Sequence, residues 1–465
     1  MAIDGESAIL KPKMMFQGAL RVVLRRVRQK YKGSVRPGLY RFLGVVFTFS
    51  AGAFIFARRI FKRKIPITYL VSQVELFQAE GFLQELSRDS RFDVRVIIFP
   101  NFENSSLSPS ESVLTQLNDL RFSGLALTSV CASQPSDLPS PLRVIRPGGL
   151  IFVDQPHQNL GRKWRPFSLA PFWLLAYVPY GFKVSPGFSN NFSLPFFSLL
   201  WRIFAESDWH SNQFLSANVA RPRHIFSLGY PKMDRFKMAN IDTASQGSER
   251  AKIIWAPHWS VRDETLGYGT FEWSYPAMFE IAREYPMIHW IFKPHQRLSQ
   301  QVISSGLMSA SEWRKFLQDW ESLENGSVLF GSGYIEAFDE SVALITDSGS
   351  FLGEYTFTTK PILLLKSDSS QGYNETGQRI ALANYVASSP SDIQTFLTEI
   401  VIGGRDTLKN NRSALREDLF PSEKFPVWEK IAANISLGLS NRPRLTRAAG
   451  SLRLWLTRKL TRKAF

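Results

Sequence analysis

The stretch 343–367, ALITDSGSFLGEYTFTTKPILLLKS, admits few folds. An apolar run, 343–345, reaches Thr346 and Asp347; the chain turns through Ser348, Gly349 and Ser350 into a helix-like segment, and a second apolar run follows Lys360-Pro361. That is a strand, a polar turn, a helix and a strand. Such a βαβ unit is usually parallel and buried, and its strand C-termini and helix N-terminus open onto one crevice, where ligands bind in open α/β sheets. Small residues in the turn leave backbone N–H groups able to meet an anion, and the helix dipole favours negative charge there. The same pattern also suits an ordinary βα turn with a Ser or Asp N-cap.

The rest of the chain repeats the alternation. Apolar runs at 65–72, 94–99, 124–130 and 150–153 are separated by helical patterns at 75–86 and 111–120. Further runs follow at 252–255, 287–292 and 327–330. Short strands alternating with helices predict an α/β protein with doubly wound, largely parallel sheets. A second set of alternating elements begins near 221–226. The expected organisation is therefore a terminal segment 1–64, a first Rossmann-like domain 65–225, a second 226–435 and a tail 436–465. The segment 164–204 is dense in aromatic residues and broken by prolines. It fits either a buried helical hairpin or an apolar surface that meets a lipid-linked acceptor or a bilayer.

Several strands end in polar residues, which a parallel sheet would place on one edge. The run 150–153 ends in Asp154-Gln155-Pro156-His157, with His157 open to either a structural or a catalytic role. The run 252–255 leads to His258, the run 287–292 to Lys293 and His295, and the opening stretch to Asp347, Ser348 and Ser350. Three such endings in the second domain describe a pocket supplied with hydrogen-bond donors and positive charge, as a nucleotide diphosphate requires. The six histidines are scattered without metal-site spacing, and the single cysteine, Cys131, excludes a Cys-rich metal site and an internal disulfide. No metal or other cofactor is expected, a divalent requirement of the reaction being left open.

The formal charge of +16 lies at the chain ends. Residues 1–65 carry 15 Lys/Arg against 2 acids and residues 441–465 carry 8 against none, which leaves 33 basic and 38 acidic residues between them, a net of −5. In the tail, Leu454, Trp455, Leu456, Leu460 and Phe465 interleave with Arg453, Arg458, Lys459, Arg462 and Lys463. A segment both basic and apolar points to an anionic membrane surface rather than to nucleic acid. The uncharged run 42–57, FLGVVFTFSAGAFIFA, is flanked by Arg41 and by Arg58, Arg59, Lys62, Arg63 and Lys64. As helix it rises about 24 Å, short of the ~30 Å hydrocarbon core. An interfacial or re-entrant anchor is expected in preference to a span, and basic residues on both sides give no clean orientation.

Taken in order, LGYPKMD, IIWAPHWS, WIFKPHQ and LITDSGSFLGEYTFTTKPILLL resemble the GYPRND-like, APTWR-like, RPHP-like and TDYSS…KPI-like motifs of the CDP-glycerol glycerophosphotransferases, the teichoic-acid primases and polymerases. The resemblance covers roughly 150–365 and none of the first 65 residues. It implies two Rossmann-like domains facing across a cleft, the GT-B arrangement, and peripheral association with the cytoplasmic face of the membrane. It also implies a CDP-activated polyol donor, a lipid-linked or polymeric acceptor, and a catalytic histidine that here is His157 in DQPHQNLG. Carried over to this sequence, His157 and His295 are the catalytic candidates. The donor-binding candidates are His258, Arg262, Lys293, Thr346, Asp347, Ser348, Gly349, Ser350 and Glu354. The sequence departs from the family at Gln158, where glycine is usual, at Ser260 in place of the APTWR arginine, and at Ser348-Gly349-Ser350. Arg262 is the expected electrostatic substitute for that arginine, and Asp347 is expected to orient a donor or act as a cap. The TDSG…E…KP pattern also resembles UDP-N-acetylglucosamine 2-epimerases, whose glycine-rich GTRPE-like motif is absent. The alternatives are a sugar-nucleotide glycosyltransferase of the same architecture, acting in capsule or lipopolysaccharide synthesis, and a non-catalytic membrane scaffold.

Overall fold

The computed structural model describes residues 37–103, 107–186, 192–236, 250–263, 266–331, 333–421 and 425–440. The basic tail 441–465, most of the terminal segment, and Phe188 and Ser332 within the patterns above lie outside them.

The apolar runs form two all-parallel sheets. The first contains β1 (Ile65–Val71), β2 (Phe92–Ile98), β3 (Leu127–Ser129), β4 (Leu150–Val153), β5 (Leu174–Tyr177), β6 (Arg202–Ala205) and β7 (Ile225–Ser227), ordered β3-β2-β1-β4-β5-β6-β7. The second contains β8 (Ala251–Ala256), β9 (Ile288–Phe292), β10 (Gly326–Val328), β11 (Ser341–Thr346), β12 (Ile362–Leu365) and β13 (Tyr385–Ala387), ordered β10-β9-β8-β11-β12-β13. Every residue of β1, β4 and β12 is buried, as expected for strands covered by helices on both faces. In each sheet the chain winds outward from one central strand and then returns to that strand's other side. Two switch points result, between β1 and β4 and between β8 and β11, and at such points strand ends diverge and leave a crevice.

The aromatic segment 164–204 is core, not a helical hairpin. It carries β5 and the start of β6, and Trp164, Phe172, Trp173, Tyr177, Phe182, Phe192, Phe197 and Phe204 are buried. An apolar run without clear periodicity leaves helix and strand undistinguished; here interspersed prolines limit the helices to single turns at Gly161–Trp164 and Pro166–Leu169. Because β7 belongs to the first sheet, the chain crosses to the second lobe after Ser227, two residues beyond the expected boundary. The helix Val427–Ser440 then returns to pack on the first lobe through Val427, Ile431, Ala432, Ile435 and Leu439.

The helix Pro37–Ile60 extends past the apolar run at both ends and is long and apolar enough to cross a membrane by length and composition. It lies along the first lobe, burying Leu43, Phe47, Ala51 and Ile55, one residue per turn. Gly44 permits this close approach, since a Cβ there would stand 1.9 Å from the Ser198 carbonyl oxygen.

The loop after β5 joins the two lobes. It carries Phe182 into the second lobe, where its ring lies 5.9 Å from Tyr230, 6.2 Å from Phe357 and 5.0 Å from Phe420. Asn374 Nδ2 donates to the Lys183 carbonyl at 2.9 Å, and a Cβ on Gly353 would stand 2.5 Å from Phe182 Cδ1.

Candidate active site

The second-lobe site is built at the β8/β11 switch point. Asp347, at the end of β11, accepts the His258 N–H through Oδ1 and both the N–H (2.6 Å) and hydroxyl (2.8 Å) of Thr270 through Oδ2. Burial pushes its carboxyl up to about 6, against those three hydrogen bonds. Asp347 thus ties three chain segments together. Thr346 assists from β11: its hydroxyl donates to the Ala256 carbonyl at 2.6 Å and accepts the Ser348 N–H at 2.9 Å.

This bracing fixes two imidazoles whose ring centroids are 5.5 Å apart, His258 and His295. His258 Nδ1 accepts the Ser260 N–H at 3.2 Å and lies 2.8 Å from Ser260 Oγ. Ser260 Oγ already accepts N–H bonds from Tyr268 (3.1 Å) and Gly269 (3.0 Å), so its own hydrogen goes to the ring. His295 Nδ1 accepts the Arg297 N–H at 3.1 Å. Both rings therefore use Nδ1 as an acceptor and carry their proton on Nε2. Burial lowers the His258 pKa to about 4, and burial together with His258, Lys293 and Arg297 holds His295 well below the usual range. At neutral pH the pair is neutral and supplies two N–H donors.

Lys293 adds the positive charge. It is buried, and burial lowers its pKa to about 8 while Glu75 opposes the shift from the turn that follows β1. Glu75 itself is raised by burial and lowered by Lys293. Gln296 Nε2 reaches Gln73 Oε1 at 3.4 Å in the same place. The C-terminal edges of β1 and β9 therefore face each other, and the first lobe closes over the second-lobe donors.

On the first lobe, Asn159 Nδ2 donates to Ser72 Oγ at 3.2 Å across the β1/β4 switch point. His157 stands beside it, fully buried, with left-handed backbone (φ 49°) and no hydrogen bond from either ring nitrogen to a described residue. Its Nε2 is 3.7 Å from Asp154 Oδ1. Burial lowers the His157 pKa to about 3 and raises that of Asp154 to about 7, the latter against hydrogen bonds from its own backbone and Tyr69 and the charge of Lys232.

His258, Lys293, His295, Thr346, Asp347 and Ser348 thus come together. Gly349 begins a seven-residue helix and faces Val184 of the first lobe, where a Cβ would stand 3.2 Å from Val184 Cγ2; Ser350, next along, is exposed. Glu354 is buried: Oε1 accepts the Tyr230 hydroxyl at 2.7 Å and lies 3.4 Å from Lys232 Nζ, while Oε2 accepts the Tyr334 hydroxyl at 2.7 Å. Arg262 is not brought to the pocket. Its guanidinium pairs with Glu272 and donates to the Ser305 carbonyl at 3.2 Å on the exposed side of the lobe. Ser260, which stands where the family has arginine, instead sets the tautomer of His258.

Sequence reasoning missed Lys232, Arg297 and Glu75. Lys232 was visible inside LGYPKMD, but its partners are 52, 102 and 122 residues away. Arg297 lies with its guanidinium carbon 4.0 Å from the Trp259 ring centroid, beside both histidines. Among the described residues, no three His, Cys, Asp or Glu side chains are grouped so as to hold a metal ion.

No family model and no curated protein sequence matches the chain. Solved structures do. A variant of the wall teichoic acid polymerase TagF is similar over 92% of this chain and 97% of its own, with 14% identity and a TM-score of 0.54. TagF soaked with CDPG matches over 94% and 99%, at 14% identity and a TM-score of 0.52. The MnaA–UDP structure from S. aureus matches over 82% and 99%, at 13% identity and a TM-score of 0.50. The chain has the GT-B fold. In GT-B terms the two switch points are the facing walls of the cleft; the His258–Lys293–His295 group stands at one, and His157 follows β4 beside the other, fully buried.

Proposed function

We propose that this protein is a transferase that moves a polyol-phosphate group, glycerophosphate-like, from a CDP-activated donor to a hydroxyl of a lipid-linked or polymeric acceptor in teichoic-acid-like synthesis. The observation that carries this reading is the convergence of two neutral imidazole N–H donors and one buried lysine at a GT-B switch point, opposite a second histidine-bearing edge. Resemblance to TagF supports the substrate class. The diphosphate lies against Lys293 and the Nε2–H groups of His258 and His295, which stabilise charge on the phosphoryl oxygens. The acceptor hydroxyl attacks the phosphorus that bears the polyol; its O–P bond forms, the bond to the bridging oxygen breaks, and CMP leaves. We assign the hydroxyl proton to His157, whose fully buried ring has to be uncovered by movement of the lobes before it can accept it; the Asp154 carboxylate, 3.7 Å away, then stabilises the imidazolium.

A glycosyltransferase reading is favoured by one finding, the likeness to MnaA–UDP. A donor panel with purified protein and anionic liposomes separates the two. CMP release from CDP-glycerol or CDP-ribitol supports phosphotransfer, whereas release of UDP or GDP from sugar nucleotides supports glycosyl transfer. His295→Ala is expected to weaken donor affinity about 10- to 100-fold, the worth of one hydrogen bond to a charged group, and calorimetry with CDP reads it. Unchanged affinity removes His295 from the site.

The pH dependence has two limbs. Asp154 has a raised pKa, so it is neutral below about 7 and ionised above, and transfer rises through that value. Lys293 has a lowered pKa, so its charge is present below about 8 and lost above, and donor affinity falls there. A bell-shaped rate profile with its maximum between 7 and 8 is expected. A flat profile from pH 6 to 9 contradicts both assignments.

Peripheral association with the cytoplasmic face of the membrane belongs to the same proposal. Along the helix Pro37–Ile60, Phe42, Val45, Val46, Phe49, Phe56 and Ile60 are exposed on the side opposite the buried residues. A helix held to the lobe by one apolar face and presenting another suits an interfacial position.

A further inference from the structure

The helix Pro37–Ile60 ends over a basic cavity far from the cleft. The cavity has a volume of about 490 Å³, and its lining includes Arg59, Lys62, Arg63, Lys64 and Arg91. It lies at the N-terminal ends of β1 and β2, whereas the cleft lies at the C-terminal ends of the strands. We propose that it is a binding site for a membrane lipid headgroup bearing a phosphomonoester or diphosphate, two or more negative charges on one group. The proposal rests on the interfacial reading of the Pro37–Ile60 helix and goes beyond it by assigning a discrete headgroup site.

Three observations carry it. First, the turn is built. Lys62 adopts left-handed backbone (φ 48°), the Lys62 N–H donates to the Arg59 carbonyl at 3.0 Å, and the Arg63 N–H donates to the Arg58 carbonyl at 2.8 Å. These are the two bonds of a Schellman motif, which occupy carbonyls at the helix end that would otherwise repel an anion. Arg58 braces the turn by donating to the Pro147 carbonyl at 2.8 Å and the Lys64 carbonyl at 3.1 Å.

Second, the charge is unbalanced. Arg91 is held by Asp89, at 2.9 and 3.0 Å from its Nε, and donates to Ser440 Oγ. Lys62, Arg63 and Lys64 make no ion pair among the described residues, and all three are exposed. Several cations around one cavity suit a multivalent phosphate better than the single charge of a phosphodiester.

Third, exposed apolar side chains adjoin the basic turn in sequence, where acyl chains could lie. Ile60 and Phe61 are 61% and 71% exposed and continue the stripe of Phe49 and Phe56. Ser440, which lines the cavity, is also the residue from which the tail 441–465, with its 8 basic residues and no acids, departs.

The test is vesicle co-flotation of the full chain. Phosphatidylcholine vesicles carrying phosphatidic acid are compared with vesicles carrying phosphatidylglycerol at matched surface charge. The expected result is at least about fivefold tighter binding to phosphatidic acid, the worth of one basic residue near such a surface. Lys62→Asn with Arg63→Glu should bring the ratio to one; asparagine suits the left-handed position, so the turn is kept. Ile60→Ser with Phe61→Ser should weaken binding to both vesicles and leave the ratio intact. Equal binding of the unaltered chain to both vesicles overturns the headgroup site while leaving the interfacial helix standing. Absence of binding to either overturns both. A second calorimetric binding event for inorganic pyrophosphate, additional to any in the cleft, that is lost in the Lys62/Arg63 variant without a vesicle preference identifies a soluble anion as the ligand and overturns the lipid source.

Discussion

Replacing His157 by asparagine is expected to leave the protein folded and to lower transfer by roughly 10²- to 10⁴-fold, the usual contribution of a general base. The stability half of this expectation follows from what the histidine already costs. A non-glycine residue with left-handed backbone is strained by about 1–3 kcal/mol. A fully buried ring whose nitrogens make no hydrogen bond to a described residue gives the fold little in exchange for its lost solvation. Asparagine tolerates that backbone, so the thermal midpoint should move little. Because a residue that is costly in the fold has its rationale elsewhere, the activity half follows from the neighbouring Asp154 and from its place directly after β4 at the first switch point. CDP affinity should be unchanged, since the groups proposed to bind the donor lie on the other lobe. Near-normal turnover in the variant would remove His157 from the chemistry, and a collapse of the fold would make it structural.

Phe182→Ala is expected to destabilise the protein by about 3–5 kcal/mol, the range for removing a buried phenylalanine. The location makes the loss more than a cavity. Phe182 arises from the first lobe but packs among Tyr230, Phe357 and Phe420, and Gly353 and Gly377 leave room for the loop that carries it. Losing the ring should loosen one lobe from the other, so donor affinity should fall as well, although the Phe182 ring has no polar group with which to bind a donor. Chemical denaturation reads the first effect and CDP calorimetry the second. A loss below about 1 kcal/mol would mean that the lobes are held together elsewhere.

Much of the fold was legible because the signals for parallel sheets are local. Near-continuous apolar runs bounded by polar turns gave most of the strands, and β4 to the residue. The segment 164–204 was left between a helical hairpin and an apolar surface for the complementary reason: aromatic density without periodicity does not distinguish strand from helix, and β5 and the start of β6 emerged from it. In the site, His258, Lys293, His295 and Asp347 were visible as polar ends of strands. Arg262 was placed by charge alone, and the structure gives that charge to Glu272.

The amino-acid order by itself determined that the chain forms two parallel sheets and that particular polar residues stand at strand ends, because backbone pairing and burial repeat over a few residues. Only the tertiary structure decided which strands flank the two switch points, which nitrogen of each histidine carries the proton, and that Lys232 is buried against Glu354, 122 residues away. Those outcomes depend on crossovers and on contacts between lobes, whose geometry no local pattern encodes.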